Sequence, residues 1–210
     1  MNPIENEISY QTTNTYSTLN SLTNKTKRVW FVCHGMGYLS RYFLKYFAGL
    51  NTEENYIIAP QAQSKYYIPP KFKHVGASWL TKENTIAETE NVMRYFDAVL
   101  QNENIPNDLP LIVLGYSQGV SVAMRYVAKR QLACDQLILM SGGIPKELVA
   151  SDFESLEMHV QFVYGSKDEF MDDDRLSYEQ SRAKELFGPD VNIKVFEGNH
   201  MVNTEIINRI

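Results

Sequence analysis

The sequence has few of the features that mark secreted, metal-binding or membrane-spanning proteins. Its two cysteines, Cys33 and Cys134, are too few for a disulfide framework and lack metal-ligand spacing, so we expect two reduced thiols. No apolar run reaches the roughly 20 residues that a membrane span needs. Residues 1–20 are polar and lack the basic start and apolar stretch of a secretory signal. A soluble, cytoplasmic protein is therefore expected.

An excess of positive charge is also lacking. The formal net charge is -5 and the isoelectric point is about 5.4, with acidic and basic residues interspersed along the chain. No basic surface is expected that would attract nucleic acid or anionic lipid. The composition carries no signal for an oligomeric state. These properties favour a small, uncharged or weakly charged molecule as the binding partner.

The 210 residues, 44% of them hydrophobic, suffice for a single domain over residues 1–210 with a substantial core. Short apolar runs predict strands, and stretches with helical spacing predict helices between them. The predicted strands are residues 29–33, 56–59, 111–114, 137–140, 160–164 and 193–196, and the predicted helices are residues 39–50, 85–102, 118–130, 145–156, 175–187 and 202–210. This alternation predicts an α/β fold with a mostly parallel sheet and helices on both of its faces.

Two segments fall outside this alternation. Residues 8–19 alternate weakly and contain many Thr and Tyr residues, which favours an antiparallel edge strand or hairpin, with residues 1–27 as that element and a linker. Residues 60–84 form a long connection without a helical pattern. Long connections of this kind often contribute to functional sites.

The run Gly115-Tyr116-Ser117-Gln118-Gly119 lies between a predicted strand and a predicted helix. This strand, turn and helix context is what a nucleophile elbow requires, because small residues on either side of a serine let the strand and helix approach closely. We interpret Ser117 as a nucleophile and the Gln118 backbone N–H as an oxyanion donor at the start of the helix. The alternative is an ordinary glycine-containing turn, since the five-residue pattern also occurs by chance.

A neutral serine needs a base, and in such a fold the base follows the nucleophile along the chain. Only His159 and His200 come after Ser117. His200 follows the last predicted strand and should lie at its carboxyl end, whereas His159 precedes a strand and should lie at the opposite end. His34 and His74 come before the serine and would break the order. His200 is therefore the predicted base.

The acid that orients the base should follow the preceding strand. Asp168 is the first carboxylate after residues 160–164 and is predicted to orient His200. Asp172, Asp173 and Asp174 remain as alternatives. They stand just before the predicted helix of residues 175–187, where carboxylates commonly cap a helix, and we interpret them as capping residues.

The run His34-Gly35-Met36-Gly37 follows the first core strand and predicts a second oxyanion donor, the Met36 backbone N–H. An ordinary glycine turn is again the alternative. His34 has no second ligand beside it at metal-binding spacing. The sequence therefore implies neither a metal nor an organic cofactor.

Together, His34-Gly35-Met36-Gly37, Gly115-Tyr116-Ser117-Gln118-Gly119, Gly165-Ser166-Lys167-Asp168 and Gly198-Asn199-His200 resemble the motifs of the phospholipase/carboxylesterase family, which includes the acyl-protein thioesterases. The resemblance spans about residues 29–210. It implies the α/β-hydrolase fold and hydrolysis of esters or thioesters through an acyl-enzyme on Ser117, with Asp168, His200, Met36 and Gln118 in the roles given above. Tyr38, Leu80 and Val120 stand where the family usually has Asp, Phe and Gly, and these departures affect substrate choice.

The residues around the predicted site suggest an apolar acyl group. Only residues 141–159 separate the two strands between which many lipases insert a cap, so we expect no cap domain. We expect side chains on the loops at the catalytic end to line the substrate site. They are those of Met36, Tyr38, Trp79, Ile144, Phe170, Met171 and Met201. The alternative is that several of these side chains fill the core, as Met and aromatic residues commonly do.

The leading hypothesis is a serine carboxylesterase or thioesterase acting on small to medium acyl groups. A serine peptidase or an acyltransferase with the same three residues is a second possibility. The third is a hydrolase-fold interaction module that has lost catalysis, against which the complete and correctly ordered Ser117, Asp168 and His200 argue.

Overall fold

The computed structural model describes residues 3–210. Its central sheet contains β1 (Tyr16–Leu19), β2 (Arg28–Cys33), β3 (Asn55–Pro60), β6 (Leu111–Tyr116), β7 (Gln136–Met140), β8 (His159–Gly165) and β9 (Asn192–Phe196). The spatial order is β1-β3-β2-β6-β7-β8-β9. Only β1 runs antiparallel to its neighbour, and the other neighbours are parallel. The six predicted core strands are confirmed, as is an antiparallel edge strand within residues 8–19.

The long connection of residues 60–84 contains a hairpin that the periodicity did not predict. Strands β4 (Ser64–Tyr67) and β5 (Val75–Ser78) pair antiparallel in a separate two-stranded sheet. Three of the four β5 residues are buried, whereas every β4 residue is exposed. The hairpin therefore presents β5 to the body of the protein and β4 to solvent.

The helices are α1 (Ser40–Phe43), α2 (Thr85–Glu103), α3 (Gln118–Arg130), α4 (Asp173–Phe187) and α5 (Thr204–Ile207). The structure confirms the helices predicted at residues 85–102, 118–130 and 175–187. Residues 39–50 instead form the short α1 followed by a 3-10 turn at Leu44–Phe47, and the last segment forms only the short α5. Within residues 3–210, no helix combines the length and the apolar character that crossing a membrane requires.

The helix predicted at residues 145–156 is wrong. This segment forms consecutive tight turns, including a 3-10 turn at Ala150–Asp152. The Phe153 N–H donates to the Ala150 carbonyl, and the Leu156 N–H to the Phe153 carbonyl, both at 3.0 Å. These bonds span three residues rather than the four of an α-helix. Leu148 and Phe153 are nevertheless buried, so the apolar spacing marked core contacts but not the backbone conformation.

The sheet has an apolar core on each face. Along β2, Val29, Phe31 and Cys33 contact the core formed with α2, α3 and α4, whereas Trp30 and Val32 contact the core formed with α1, the Leu44–Phe47 turn and α5. This alternation follows from the two-residue period of a strand. Helices on both faces of a mostly parallel sheet confirm the predicted fold class. The connections that follow the strands' carboxyl ends then meet at one edge of the sheet, where the candidate site lies.

Candidate active site

Ser117 lies on the sharp turn between β6 and α3. Its backbone angles are φ 53° and ψ -122°, a conformation that residues other than glycine rarely adopt and that functional sites often retain. The Ser117 N–H donates to the Met140 carbonyl at 2.8 Å, which ties the turn to the end of the neighbouring strand β7. The turn is therefore held by the sheet itself.

Glycines surround this turn because backbone occupies the space of a side chain. A Cβ at Gly119 would lie 2.0 Å from the Cys33 carbonyl oxygen, and one at Gly115 would lie 2.5 Å from the Val120 Cα. The close approach that the motif predicts is present. Sequence reasoning missed Gly142, whose Cβ would lie 2.3 Å from the Ser117 carbonyl oxygen. Gly142 stands two residues after the end of β7, and that position was the available signal.

The structure brings together the three residues of the predicted triad. The His200 Nε2 atom lies 2.9 Å from the Ser117 Oγ, and the His200 Nδ1 lies 2.9 and 3.0 Å from the two Asp168 oxygens. The Asp168 side chain is fully buried, and its Oδ1 also accepts the Phe170 N–H at 3.0 Å. With Nδ1–H donated to Asp168, Nε2 is free to accept the Ser117 hydroxyl proton.

Three further groups hold the loop that carries His200. The Tyr116 hydroxyl donates to the His200 carbonyl at 3.1 Å, and the His200 N–H donates to the Glu169 carboxylate at 3.2 Å. The Phe170 ring meets the His200 ring edge to face, with centroids 4.8 Å apart. Backbone N–H groups, including that of His200, lower the pKa of Glu169. Sequence reasoning missed Tyr116 and Glu169, because the motif leaves the residue before the serine unspecified and Glu169 acts through a long-range contact.

Of the three alternative acids, Asp172 has the expected capping role. The Asp172 side chain accepts the Arg175 N–H at 2.9 Å at the start of α4, and Asp173 and Asp174 lie in the first turn of that helix. His159 begins β8 and therefore lies at the opposite end of that strand from Asp168. The expected positions of Asp172 and His159 are confirmed, whereas Asp173 and Asp174 lie inside the helix instead of before it.

His34 is fully buried beside the site, with both ring nitrogens occupied. Its Nδ1–H donates to the Gly35 carbonyl at 2.8 Å, and its Nε2 accepts the Ala62 N–H at 3.1 Å. Burial lowers the pKa of His34 to about 4, so the ring is neutral near neutral pH. Within residues 3–210, no group of three or more histidine, cysteine or carboxylate side chains has the arrangement of a metal site.

The two predicted oxyanion donors lie after neighbouring strands. Met36 follows β2, and Gln118 follows β6, with which β2 pairs in parallel. Gln118 is the first residue of α3, so its N–H has no acceptor within the helix. Within the described part of the chain, the Met36 N–H has no protein acceptor either, although the next N–H, that of Gly37, donates to Ala77. Both groups are thus available to an oxygen at this edge.

The residues expected to line the substrate site divide into two groups. Phe170 is 68% exposed, Met36 is 59% exposed and Met201 is 48% exposed. Tyr38 and Met171 are partly buried against the core. The three exposed side chains lie on the loops that carry Asp168, His200 and the candidate oxyanion donor. We call these three residues, Met36, Phe170 and Met201, the apolar rim.

Trp79 and Ile144, which the sequence suggested as residues that line the substrate site, are buried. Trp79 is 1% exposed and Ile144 is 4% exposed. The Trp79 indole N–H donates to the His34 carbonyl at 2.7 Å, and its ring packs on His34 and edge to face on Phe96. Hydrogen bonding and aromatic packing therefore fix the indole within the core, which is the alternative that the sequence left open.

A cavity of about 550 Å³ lies elsewhere, at the amino ends of the last three strands of the sheet. It is lined in part by Gln136, His159 and Asn192, which are the first residues of β7, β8 and β9, and by Phe153 and Phe187. Parallel strands place these ends opposite the edge that carries Ser117 and His200. The cavity is therefore separate from the candidate site.

No protein-family profile and no curated protein sequence matches the chain. In structure it is similar to acyl-protein thioesterase 2 from Zea mays, with a TM-score of 0.72 and 14% identity over 94% of this chain and 96% of that chain. It is also similar to a carboxylesterase from Mesorhizobium loti, with a TM-score of 0.68 and 13% identity over 88% of each chain. A phospholipase/carboxylesterase from Dyadobacter fermentans DSM 18053 gives a TM-score of 0.61 and 16% identity over 96% and 97%. These likenesses show that the chain has the α/β-hydrolase fold.

Proposed function

We propose that the protein is a serine hydrolase that cleaves carboxylic esters or thioesters of small to medium acyl groups through an acyl-enzyme on Ser117. The observation that carries the proposal is the hydrogen-bonded series from the Ser117 hydroxyl through His200 to the buried Asp168 carboxylate. The names of the similar structures, an acyl-protein thioesterase and carboxylesterases, support the same reaction class.

In the proposed reaction His200 Nε2 removes the Ser117 hydroxyl proton as the Oγ bonds to the substrate carbonyl carbon. The carbonyl oxygen becomes an oxyanion, which accepts hydrogen bonds from the Met36 and Gln118 N–H groups. Asp168 stabilises the His200 imidazolium. The intermediate then breaks its bond to the alcohol or thiol, which leaves with the proton from His200. Water repeats these steps on the acyl-enzyme and releases the acid.

The acyl group is proposed to rest on the apolar rim. Burial of Trp79 and Ile144 removes them from the surface on which an acyl chain could lie. The exposed rim side chains are large enough to cover a few methylene groups, each contributing about 0.8 kcal/mol when fully buried. This arrangement favours small to medium acyl groups over long chains.

Hydrolysis of p-nitrophenyl esters and labelling by a fluorophosphonate probe test the proposal. Ser117→Ala should abolish labelling and lower kcat/KM by at least about a thousandfold, because the nucleophile is absent. Ser151→Ala, at an exposed position within the Ala150–Asp152 turn, is the matched control and should retain both. A purified wild-type protein that neither cleaves esters nor reacts with the probe would contradict the proposal and favour an interaction module.

Comparing ester, thioester and aminoacyl amide substrates, with and without an added acceptor alcohol, separates hydrolysis from peptidase and acyl-transfer activity.

A further inference from the structure

We propose that Gln118 is a positioning residue whose side-chain carboxamide fixes the Met36 N–H relative to the Gln118 N–H. This inference rests on the proposed function, in which both N–H groups bind the oxyanion. The nucleophile-elbow motif assigns a role only to the backbone N–H of Gln118. Its side chain extends to a different part of the chain, the backbone that follows strand β5.

The carboxamide is bonded on both sides to that backbone. Its Oε1 accepts the Trp79 N–H at 2.8 Å, and its Nε2 donates to the Leu80 carbonyl at 2.8 Å and to the Ser78 hydroxyl at 3.0 Å. Only one orientation of the amide satisfies these partners, because Trp79 offers a donor and Leu80 an acceptor. The start of α3 is thereby fastened to residues 78–80.

Residues 76–79 in turn hold the loop that contains Met36. The Ala77 carbonyl accepts the Gly37 N–H at 2.8 Å. At the other end of the loop, the Trp79 indole donates to the His34 carbonyl at 2.7 Å. A Cβ at Gly76 would lie 2.6 Å from the Gly37 carbonyl oxygen, so the two backbones are in direct contact. The Met36 peptide is thus held from both sides by the segment that Gln118 binds.

Glycine packing also joins the turn at Ser117 to this loop, and it ends one residue before Met36, where a Cβ at Gly35 would lie 3.1 Å from the Ser117 Cβ. Gly119 packs on the carbonyl of Cys33, which fixes α3 against the end of β2. Met36 itself is 59% exposed, and the next backbone contact along the loop is the bond from the Gly37 N–H to Ala77. An oxyanion donor must lie within about 2.7 to 3.1 Å of its target, and a displacement of a fraction of an ångström weakens it. The Gln118 carboxamide adds a connection from the start of α3 to the segment that binds Gly37, on the far side of Met36.

The test is Gln118→Met, which keeps a side chain of similar length but removes both hydrogen-bonding groups. We expect kcat/KM to fall about 10- to 100-fold, somewhat less than removal of a whole oxyanion donor, with the change in kcat rather than KM. Affinity for a trifluoromethyl ketone, which forms an oxyanion when it adds to Ser117, should fall by a similar factor. The midpoint of the kcat/KM pH profile should be unchanged, because the His200–Asp168 contact is not altered.

The measured rate is divided by the concentration of probe-labelled sites, so that misfolded protein does not count as a catalytic loss. Gln101→Met, at an exposed position of α2, is the matched control and should behave as wild type. Ser78→Ala should cost less than about threefold, since the Trp79 and Leu80 bonds to Gln118 remain. Gln118→Ala replaces the Met variant if that variant does not fold.

The inference is overturned if the Gln118 variant retains kcat and inhibitor affinity within about threefold of wild type. It is also overturned if the loss lies in KM alone, because a positioned oxyanion donor acts in the transition state. These outcomes differ from failure of the proposed function, in which wild-type protein itself shows neither hydrolysis nor labelling.

Discussion

Backbone packing surrounds Ser117, whereas side-chain hydrogen bonds add to the backbone contacts that hold His200. Around Ser117, a Cβ at Gly115 or Gly119 would lie 2.0 to 2.5 Å from neighbouring backbone atoms. His200 stands after β9, an edge strand of the sheet with three of its five residues exposed. The backbone just before His200 is held at Gly198, whose carbonyl accepts the Lys167 N–H at 2.9 Å. His200 itself is held by the Tyr116 hydroxyl, by Glu169 and by Asp168. The two halves of the candidate site therefore differ in how their geometry is maintained.

This difference separates stability from activity. Two backbones in direct contact cannot give way without moving a strand or a helix, so a change near Ser117 should disturb the fold. A lost side-chain hydrogen bond near His200 removes only about 1 kcal/mol and leaves the packing in place. Substitutions of the glycines near Ser117 should thus cost stability, and those of the side chains that bond His200 should cost catalytic rate.

The largest effect is expected for Gly119→Ala. The added Cβ would lie 2.0 Å from the Cys33 carbonyl oxygen, so α3 or β2 must move. We expect the free energy of unfolding in urea to fall by about 3 kcal/mol or more, with loss of probe labelling. Gly49→Ala is the control, because the nearest atoms to its Cβ belong to the end of the flexible Asn208 side chain. Equal stability of Gly119→Ala and wild type would remove the basis of the comparison.

The turn at Ser117 could be predicted from the sequence because its motif is local. The glycines, the strand before them and the helix after them all lie within residues 111–130, and the structure confirms that arrangement. Asp168 and His200 were located by their positions after predicted strands, since parallel strands end at a common edge. The catalytic roles of these residues remain predictions.

The remaining features depend on contacts between distant residues. The Tyr116 hydroxyl reaches His200 across 84 positions, and the Gln118 carboxamide reaches Leu80 across 38. Neither partner is specified by local spacing. Burial of Trp79 likewise depends on its contacts with His34 and Phe96. Residues 145–156 have apolar spacing compatible with a helix, but tight turns bury the same side chains, so periodicity alone could not choose the backbone conformation.

The second prediction uses His34, the buried histidine of the Ser117 half. Its pKa is lowered from 6.5 to about 4, so folding favours the neutral ring. The preference for the neutral ring adds about 3 kcal/mol to the free energy of unfolding. This stabilisation is complete above pH 6.5 and is lost as the pH falls toward 4. Urea unfolding between pH 8 and pH 4 measures it. His34→Gln should be less stable than wild type at pH 8, with the difference shrinking as the pH falls. A difference that stays constant over this range would rule out the assignment to His34.

A smaller effect is expected for Tyr116→Phe, which tests the His200 half. Burial, reinforced by neighbouring acidic groups, raises the pKa of Tyr116, so its hydroxyl remains a donor to the His200 carbonyl. Losing this hydrogen bond should lower kcat about 3- to 10-fold and leave KM nearly unchanged, because the ring still packs in place. Tyr42→Phe, at a residue that is 59% exposed, is the control. A large loss of thermal stability with kcat unchanged would show that the hydroxyl supports the fold instead.

The smallest effect is expected for Phe170→Ala on the apolar rim. The Phe170 ring is 68% exposed and lies against His200, so it can cover an acyl chain but contributes little to the core. KM for a butyryl ester should rise about 2- to 5-fold, whereas KM for the acetyl ester should change little, because only the longer chain loses apolar contact. Ile86→Ala, at a residue that is 91% exposed on α2, is the control. An equal rise for both esters would mean that Phe170 acts by orienting His200, which would place it with Tyr116 rather than with the acyl contacts.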